Sequence, residues 1–314
     1  MELDRITTAL APLYRIEGET RRGALGATYA AHDGEGARVA VTVLSRDVVE
    51  MMGDRVERFL EGVGRAGRVP HPGLIAIAGA GVTPDGDVYY ATAYPDGETA
   101  RERLERQGML HADEVAAAGA ALADALSAAH EGGIIHGAIS PDDLHFTAAG
   151  PRLGALGVHG ALLDAGLDAR RLGAVLGAPQ YASPEQLAGA PLDARSDVYA
   201  LGASLYELLT GKPPFGGRTT SVVMASVLAD EPAEMTVTGS QAPGHVVNAI
   251  LRAIEKAPED RWWSAALFAQ ALREPGTPRD TAAAKAEEKK GAGCATMVLA
   301  VLGVGYALLE RLSS

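Results

Sequence analysis

I-I-H-G-A-I-S-P-D-D-L-H-F, residues 134–146, decides how this chain is read. It follows an apolar, Ala-rich run with helical spacing, His111–His130. Pro141 then forces the backbone out of helix, because proline has no N–H and its ring clashes with the preceding turn. The stretch is therefore a loop that leaves a helix, carrying His136, Ser140, Asp142 and Asp143.

On both sides the pattern changes. Tyr14–Ala31 carries two short strand-like runs around R-R-G-A-L-G-A-T-Y, and Arg38–Leu44 (R-V-A-V-T-V-L) is β-branched and reads as a strand. Asp54–Val69 has helical spacing, and Leu74–Tyr94 reads as two strands about the turn T-P-D-G-D. From Glu98 onward the spacing is helical: Glu98–Gln107, His111–His130, Asp197–Thr210 closed by Gly211, Ser221–Leu228 and His245–Ile254. A strand-rich portion followed by a helical one defines an α+β, two-lobed chain.

The 314 residues are 47% apolar and 22% charged, the balance of a globular protein. A net charge of −12 leaves no basic stripe for phosphate neutralisation, which argues against a nucleic-acid partner. One cysteine, Cys294, excludes an internal disulfide and fits a reducing compartment. The opening M-E-L-D-R has no basic stretch leading into an apolar core, so no signal peptide is read.

The loop at 134–146 resembles the H-R-D-x-K-P-x-N catalytic loop of protein kinases. Y-A-S-P-E-Q-L (181–187) resembles their A-P-E segment, and S-D-V-Y-A-L-G-A-S-L-Y-E-L-L-T-G-K-P-P-F (196–215) their central C-lobe helix. In this order and spacing the chain is similar to bacterial Ser/Thr protein kinase domains over roughly Tyr14–Leu272. The resemblance implies a bilobal domain: an extension at 1–13, an N-lobe at 14–97 and a C-lobe at 98–275. It also implies structural roles for four residues. His136 shapes the loop, Asp197 holds its backbone, and Glu185 and Arg261 form a buried ion pair.

At the positions that carry chemistry in that family, this chain departs. The lysine of V-A-I-K is Thr42, and its partner glutamate is Gly62, with Glu61 pointing about 100° away on a helix. The catalytic aspartate is Ala138, the lysine after it Ser140, the D-F-G aspartate Ala155, and the H-R-D arginine Gly137. Asp143 stands at the metal-binding asparagine and is the remaining candidate metal ligand. Gly23, Gly26, Ala40 and Ala93 remain as candidate nucleotide contacts. Thr28 replaces the valine that packs on adenine, His145 lies beneath the ring, and Pro95 lacks the N–H expected to meet it. Val158–Ala178 contains no Ser, Thr or Tyr.

Residues 276–290 form a polar linker, followed by 19 residues without a charge (291–309) and a short tail, 310–314. As a helix the uncharged run spans about 28 Å, enough for a bilayer core. Lys285, Lys289 and Lys290 precede it, which places the kinase-like domain on the cytoplasmic side of the inner membrane. The expectation from the sequence is a catalytically inactive, membrane-tethered scaffold or allosteric partner of another protein, an active kinase or its substrate, with no cofactor. The alternative is an atypical or weak Ser/Thr protein kinase using ATP and Mg²⁺. A third reading is a nucleotide-binding sensor without transfer, against which Pro95, Thr28 and His145 count; nucleotide binding with and without Mg²⁺ separates the three.

Overall fold

A computed structural model describes residues 2–167, 178–233, 235 and 242–275. The chain divides into two units at Thr277/Pro278, and the first holds all the described residues. Among these no helix is long and apolar enough to cross a membrane; the uncharged run at 291–309 lies outside them.

The N-lobe is an antiparallel sheet in the order β1-β2-β3-β5-β4. Its strands are β1 (Arg15–Gly23), β2 (Gly26–His32), β3 (Arg38–Leu44), β4 (Ile77–Val82) and β5 (Val88–Ala93). Alternation along β2 and β3 divides their side chains between two faces. Tyr29, Val39, Val41 and Val43 pack into one cluster, whereas Thr28, Ala40 and Thr42 line a cleft on the other side. Gly26 must be glycine: its φ is 149°, and an added Cβ would lie 1.9 Å from the Val43 carbonyl oxygen.

Glu2–Leu10 form helix α1, which buries Ile6 and Leu10 beside Tyr14 and Tyr89, and Arg5 pairs with Asp87 beyond β4. Helices α2 (Arg46–Met52) and α3 (Val56–Ala66) follow β3. The Ser45 hydroxyl caps α2 by accepting from Val48 N. On α3, Gly62 is buried and Glu61 is exposed.

The C-lobe contains α4 (Ala100–Gln107), α5 (Ala112–Glu131) and a small sheet of β6 (Glu98–Thr99), β7 (Leu144–Thr147) and β8 (Gly150–Leu153). Helix α6 (Val158–Asp164) comes next and packs against α3. Helices α7 (Pro184–Ala188), α8 (Ala194–Thr210), α9 (Thr220–Ala229), α10 (Gly244–Ala253) and α11 (Ala265–Arg273) complete the lobe. Helix α8 is its axis, with Ser196–Leu209 buried throughout. Gly211 ends it in the left-handed conformation (φ 73°), which glycine adopts without a Cβ clash.

Candidate nucleotide cleft

Asp197 fixes the loop on which the site is built. It sits in the first turn of α8 and is fully buried. His136 N donates to its Oδ2 at 2.8 Å and Gly137 N to its Oδ1 at 2.7 Å, while His130 Nε2 lies 2.8 Å from Oδ2. Burial alone raises this carboxyl's pKa. The hydrogen bonds from His130 and Gly137 N, with the nearby imidazoles, outweigh burial and hold it below the ordinary aspartate value. His136 Nε2 contacts the Gly154 carbonyl at 2.8 Å, joining this loop to the segment after β8.

Gly137 has φ 74°, a conformation suited to glycine. Gln186 Nε2, from α7, donates to its carbonyl at 2.8 Å. His159, at the start of α6, stands directly against it. Burial lowers the His159 pKa to about 4, so the ring is neutral at pH 7. Neither His159 nor Gln186 had been singled out in the sequence. Both are polar residues in apolar or capping surroundings, and nothing local marks them as neighbours of the loop.

Asp143 folds back on the same loop. Its Oδ2 accepts from Ser140 N at 3.0 Å and from Ser140 Oγ at 2.8 Å, and Gly154 N donates to its carbonyl at 2.8 Å. Burial raises its carboxyl, partly offset by His136, Ser140 and Arg21. Its neighbour Asp142 lies between two guanidinium groups, Arg21 from β1 and Arg101 from α4, each at 3.6 Å. Arg101 continues to Glu207 at 2.9 Å, and Tyr181 also hydrogen-bonds to that carboxylate. A chain of charges thus runs from the glycine-containing hairpin to α8.

Above the loop, a cleft of about 500 Å³ opens beneath the β1–β2 hairpin. Gly23, Gly26, Thr28, Ala40 and Thr42 line its roof, and Ala138, Ser140, Asp143, His145 and Ala155 lie among its other walls. Thr28 Oγ1 and Thr42 Oγ1 are 2.9 Å apart, a neutral pair paired in register across β2 and β3. Arg21 is the cationic side chain among the described lining residues. Burial brings the His145 pKa to about 4, leaving a neutral ring in the cleft wall. Pro95 also lines the cleft, whereas Ala93, two residues before it, is at the end of β5 and has its N–H bonded to Ala76 O at 2.8 Å.

Gly62 is far from any role in charge pairing. A Cβ there would lie 2.6 Å from the Ala161 Cβ of α6, so α6 occupies the space that a side chain would take. Ala155 has φ 54°, the one non-glycine with positive φ among the described residues. That conformation costs an alanine about 1–2 kcal/mol.

Across the C-lobe, Glu185 and Arg261 form a bidentate pair, with both oxygens 2.8 Å from guanidinium nitrogens. Ser196 Oγ donates to Glu185 Oε1 at 2.7 Å, and the guanidinium donates further to the carbonyls of Glu255, Lys256 and Arg195. Burial pushes the Glu185 pKa up, but the hydrogen bonds and charge of Arg261 pull it below the ordinary glutamate value.

Two lobes about a cleft, roofed by a glycine-containing hairpin and floored by an Asp-anchored loop, define the protein-kinase fold. The family description "Protein kinase domain" matches residues 14–271, and the chain belongs to that family. It is 32% identical over 279 residues to the probable serine/threonine-protein kinase PknB of Corynebacterium glutamicum, covering 85% of this chain and 43% of that protein. It is 33% identical over 232 residues to the serine/threonine-protein kinase PknB of Mycobacterium tuberculosis, covering 73% and 37% respectively. The chain therefore spans less than half the length of these relatives. Among solved structures, the PknI kinase domain of M. tuberculosis aligns with a TM-score of 0.65 at 26% identity, covering 82% of this chain and 94% of that one.

These relatives correct the expectation of a non-enzymatic scaffold. That expectation rested on the joint replacement of the chemistry-bearing positions, whereas the similarity extends over most of the chain to proteins named as Ser/Thr protein kinases. The enzyme alternative is the reading the comparisons favour.

Proposed function

We propose that this chain works as an atypical Ser/Thr protein kinase, passing the terminal phosphoryl group of a nucleotide to a protein hydroxyl. The observation that carries the reading is the cleft itself: a nucleotide-sized space of about 500 Å³ beneath the β1–β2 hairpin, above a loop anchored by Asp197. Phosphoryl transfer passes through a loose transition state and depends mainly on positioning and charge stabilisation.

The donor set bears on Mg²⁺. Among the described residues no group of three or more His, Cys, Asp or Glu side chains forms a metal site, and Ala155 supplies no ligand. Mg²⁺ in nucleotide sites takes one or two protein carboxylates and completes its shell with phosphates and water. Asp143, a carboxylate whose charge burial disfavours, meets that minimum and gains a counter-charge from a cation, with Asp142 beside it. Bound there, the cation would neutralise charge on the phosphates.

The chain's own residues do the rest. Arg21 brings positive charge to the hairpin end of the cleft, Ser140 orients the Asp143 carboxylate, and His136 with Asp197 holds the loop rigid. Ala138 offers no base, and Thr42 no cation for the phosphates. Turnover is therefore slow by comparison with a kinase that has both. The test incubates the purified full chain with terminally labelled ATP and Mg²⁺ or Mn²⁺ and a generic protein acceptor. Transfer that disappears in Asp143→Ala supports the reading. Absence of transfer at every enzyme concentration, together with no nucleotide binding, sinks it.

The uncharged run at 291–309 and its preceding lysines support a membrane tether for this domain, with the domain on the cytoplasmic face. Release of the full chain by alkaline extraction of membranes would remove the tether from this account.

A further inference from the structure

Helices α3 and α6 meet through small residues placed one turn apart on each. These are Gly62 and Ala66 on α3, and Ala161 on α6 with Gly157 at its N-terminal edge. A Cβ on Gly62 would lie 2.6 Å from Ala161 Cβ, and one on Gly157 would lie 2.4 Å from Ala66 Cβ. The two backbones therefore approach more closely than larger side chains permit. Phe59 and Val63 of α3 and Val158 and Leu162 of α6 are all buried in one cluster around this contact, which also takes in Met52 and Val88. Arg65 and Asp164 pair across the far end. At the near end, His159 rests against Gly137 of the catalytic loop.

This packing stands where an ion pair between β3 and α3 would otherwise hold the helix. Thr42 is bonded to Thr28, and the α3 position that would face it is Gly62. We propose that α6 is a permanent strut of the N-lobe. Apolar contact with α6, rather than a charge pair, sets the position of α3 against the cleft. The segment that begins with α6 is then no phosphorylation switch, and 158–178 contains no Ser, Thr or Tyr to modify. The inference goes beyond the kinase reading and stands on packing alone, so its test needs no transfer activity.

The test is hydrogen exchange, read by mass spectrometry on the full chain, for segments 56–66, 158–167 and 194–210. In the natural protein, 56–66 and 158–167 open together as one cooperative unit. Ala161→Leu overpacks the contact and speeds exchange in both segments by at least about tenfold, leaving 194–210 unchanged. Should Ala161→Leu fail to fold, Leu162→Ala opens a cavity in the same contact and is read the same way. Treatment with an active Ser/Thr kinase and ATP leaves both segments as they were. The proposal is overturned if 158–167 exchanges like unstructured chain, if α3 keeps its protection in both variants, or if phosphorylation shifts either segment.

Discussion

His159 fills the space that any side chain at position 137 would need: a Cβ built on Gly137 would lie 2.6 Å from His159 Nδ1. One residue belongs to the loop at 134–146 and the other to α6, so the glycine and the histidine form a matched pair across two segments. Gln186 closes the group from α7, donating to Gly137 O at 2.8 Å and lying 3.4 Å from His159 Nε2.

Gly137→Arg restores the residue type that the kinase resemblance expects there, and it should nonetheless destabilise the protein. The φ of 74° alone costs a side-chain-bearing residue about 1–2 kcal/mol, and displacement of His159 adds to it. Urea unfolding should show the loss, and Gly137→Arg combined with His159→Ala should recover part of it. Full additivity of the two changes would mean that the residues do not share a space.

Arg261→Ala leaves Glu185 as a mostly buried carboxylate without its counter-charge and frees three backbone carbonyls. The expected loss is about 3–5 kcal/mol, seen as a lower midpoint in thermal or urea unfolding. An unchanged midpoint would contradict the buried bidentate geometry of this pair.

Stability should fall as the pH drops below about 6.5. In the unfolded chain His159 takes up a proton near its ordinary value of 6.5, whereas burial in the folded chain delays protonation to about 4. The unfolded state thus binds more protons in this window, and stability rises with pH across it. By pH 5 the difference amounts to about 2 kcal/mol for this one group. His159→Gln should flatten the slope between pH 6.5 and 5, before Asp197 and Glu185, whose pKa values are lowered, begin to take up protons. An identical slope in the variant would show that the histidine titrates normally in the fold.

Ala155→Gly should stabilise the fold by up to about 1 kcal/mol, since glycine relieves the left-handed strain but has more freedom in the unfolded chain. Ala155→Asp tests the site. Aspartate tolerates this conformation better than alanine and adds a carboxylate to those of Asp142 and Asp143 in the cleft, so Mg²⁺-dependent nucleotide binding should tighten. Calorimetry with and without Mg²⁺ measures it, and equal affinities for the two proteins would place residue 155 outside the phosphate end of the cleft.

What could be read locally in the chain was what depends on near neighbours. The β-branched run Arg38–Leu44 is a strand with those same ends, and the helix closed by Gly211 starts at Ala194, three residues before the reading at Asp197. The substituted positions Thr42, Ala138 and Ala155 were legible as residue types, but their meaning for function was not: taken together they suggested a scaffold, which the relatives corrected. Tertiary structure decided the rest. A seven-residue helix such as α6 is too short to persist alone, and α3 supplies the surface that makes it form. Likewise α1 is held by the burial of Ile6 and Leu10 against the sheet. The contacts of Gly62 with Ala161 and of Gly137 with His159 join residues distant in sequence. Their identity follows from how closely two backbones approach, a distance that no local pattern of side chains encodes.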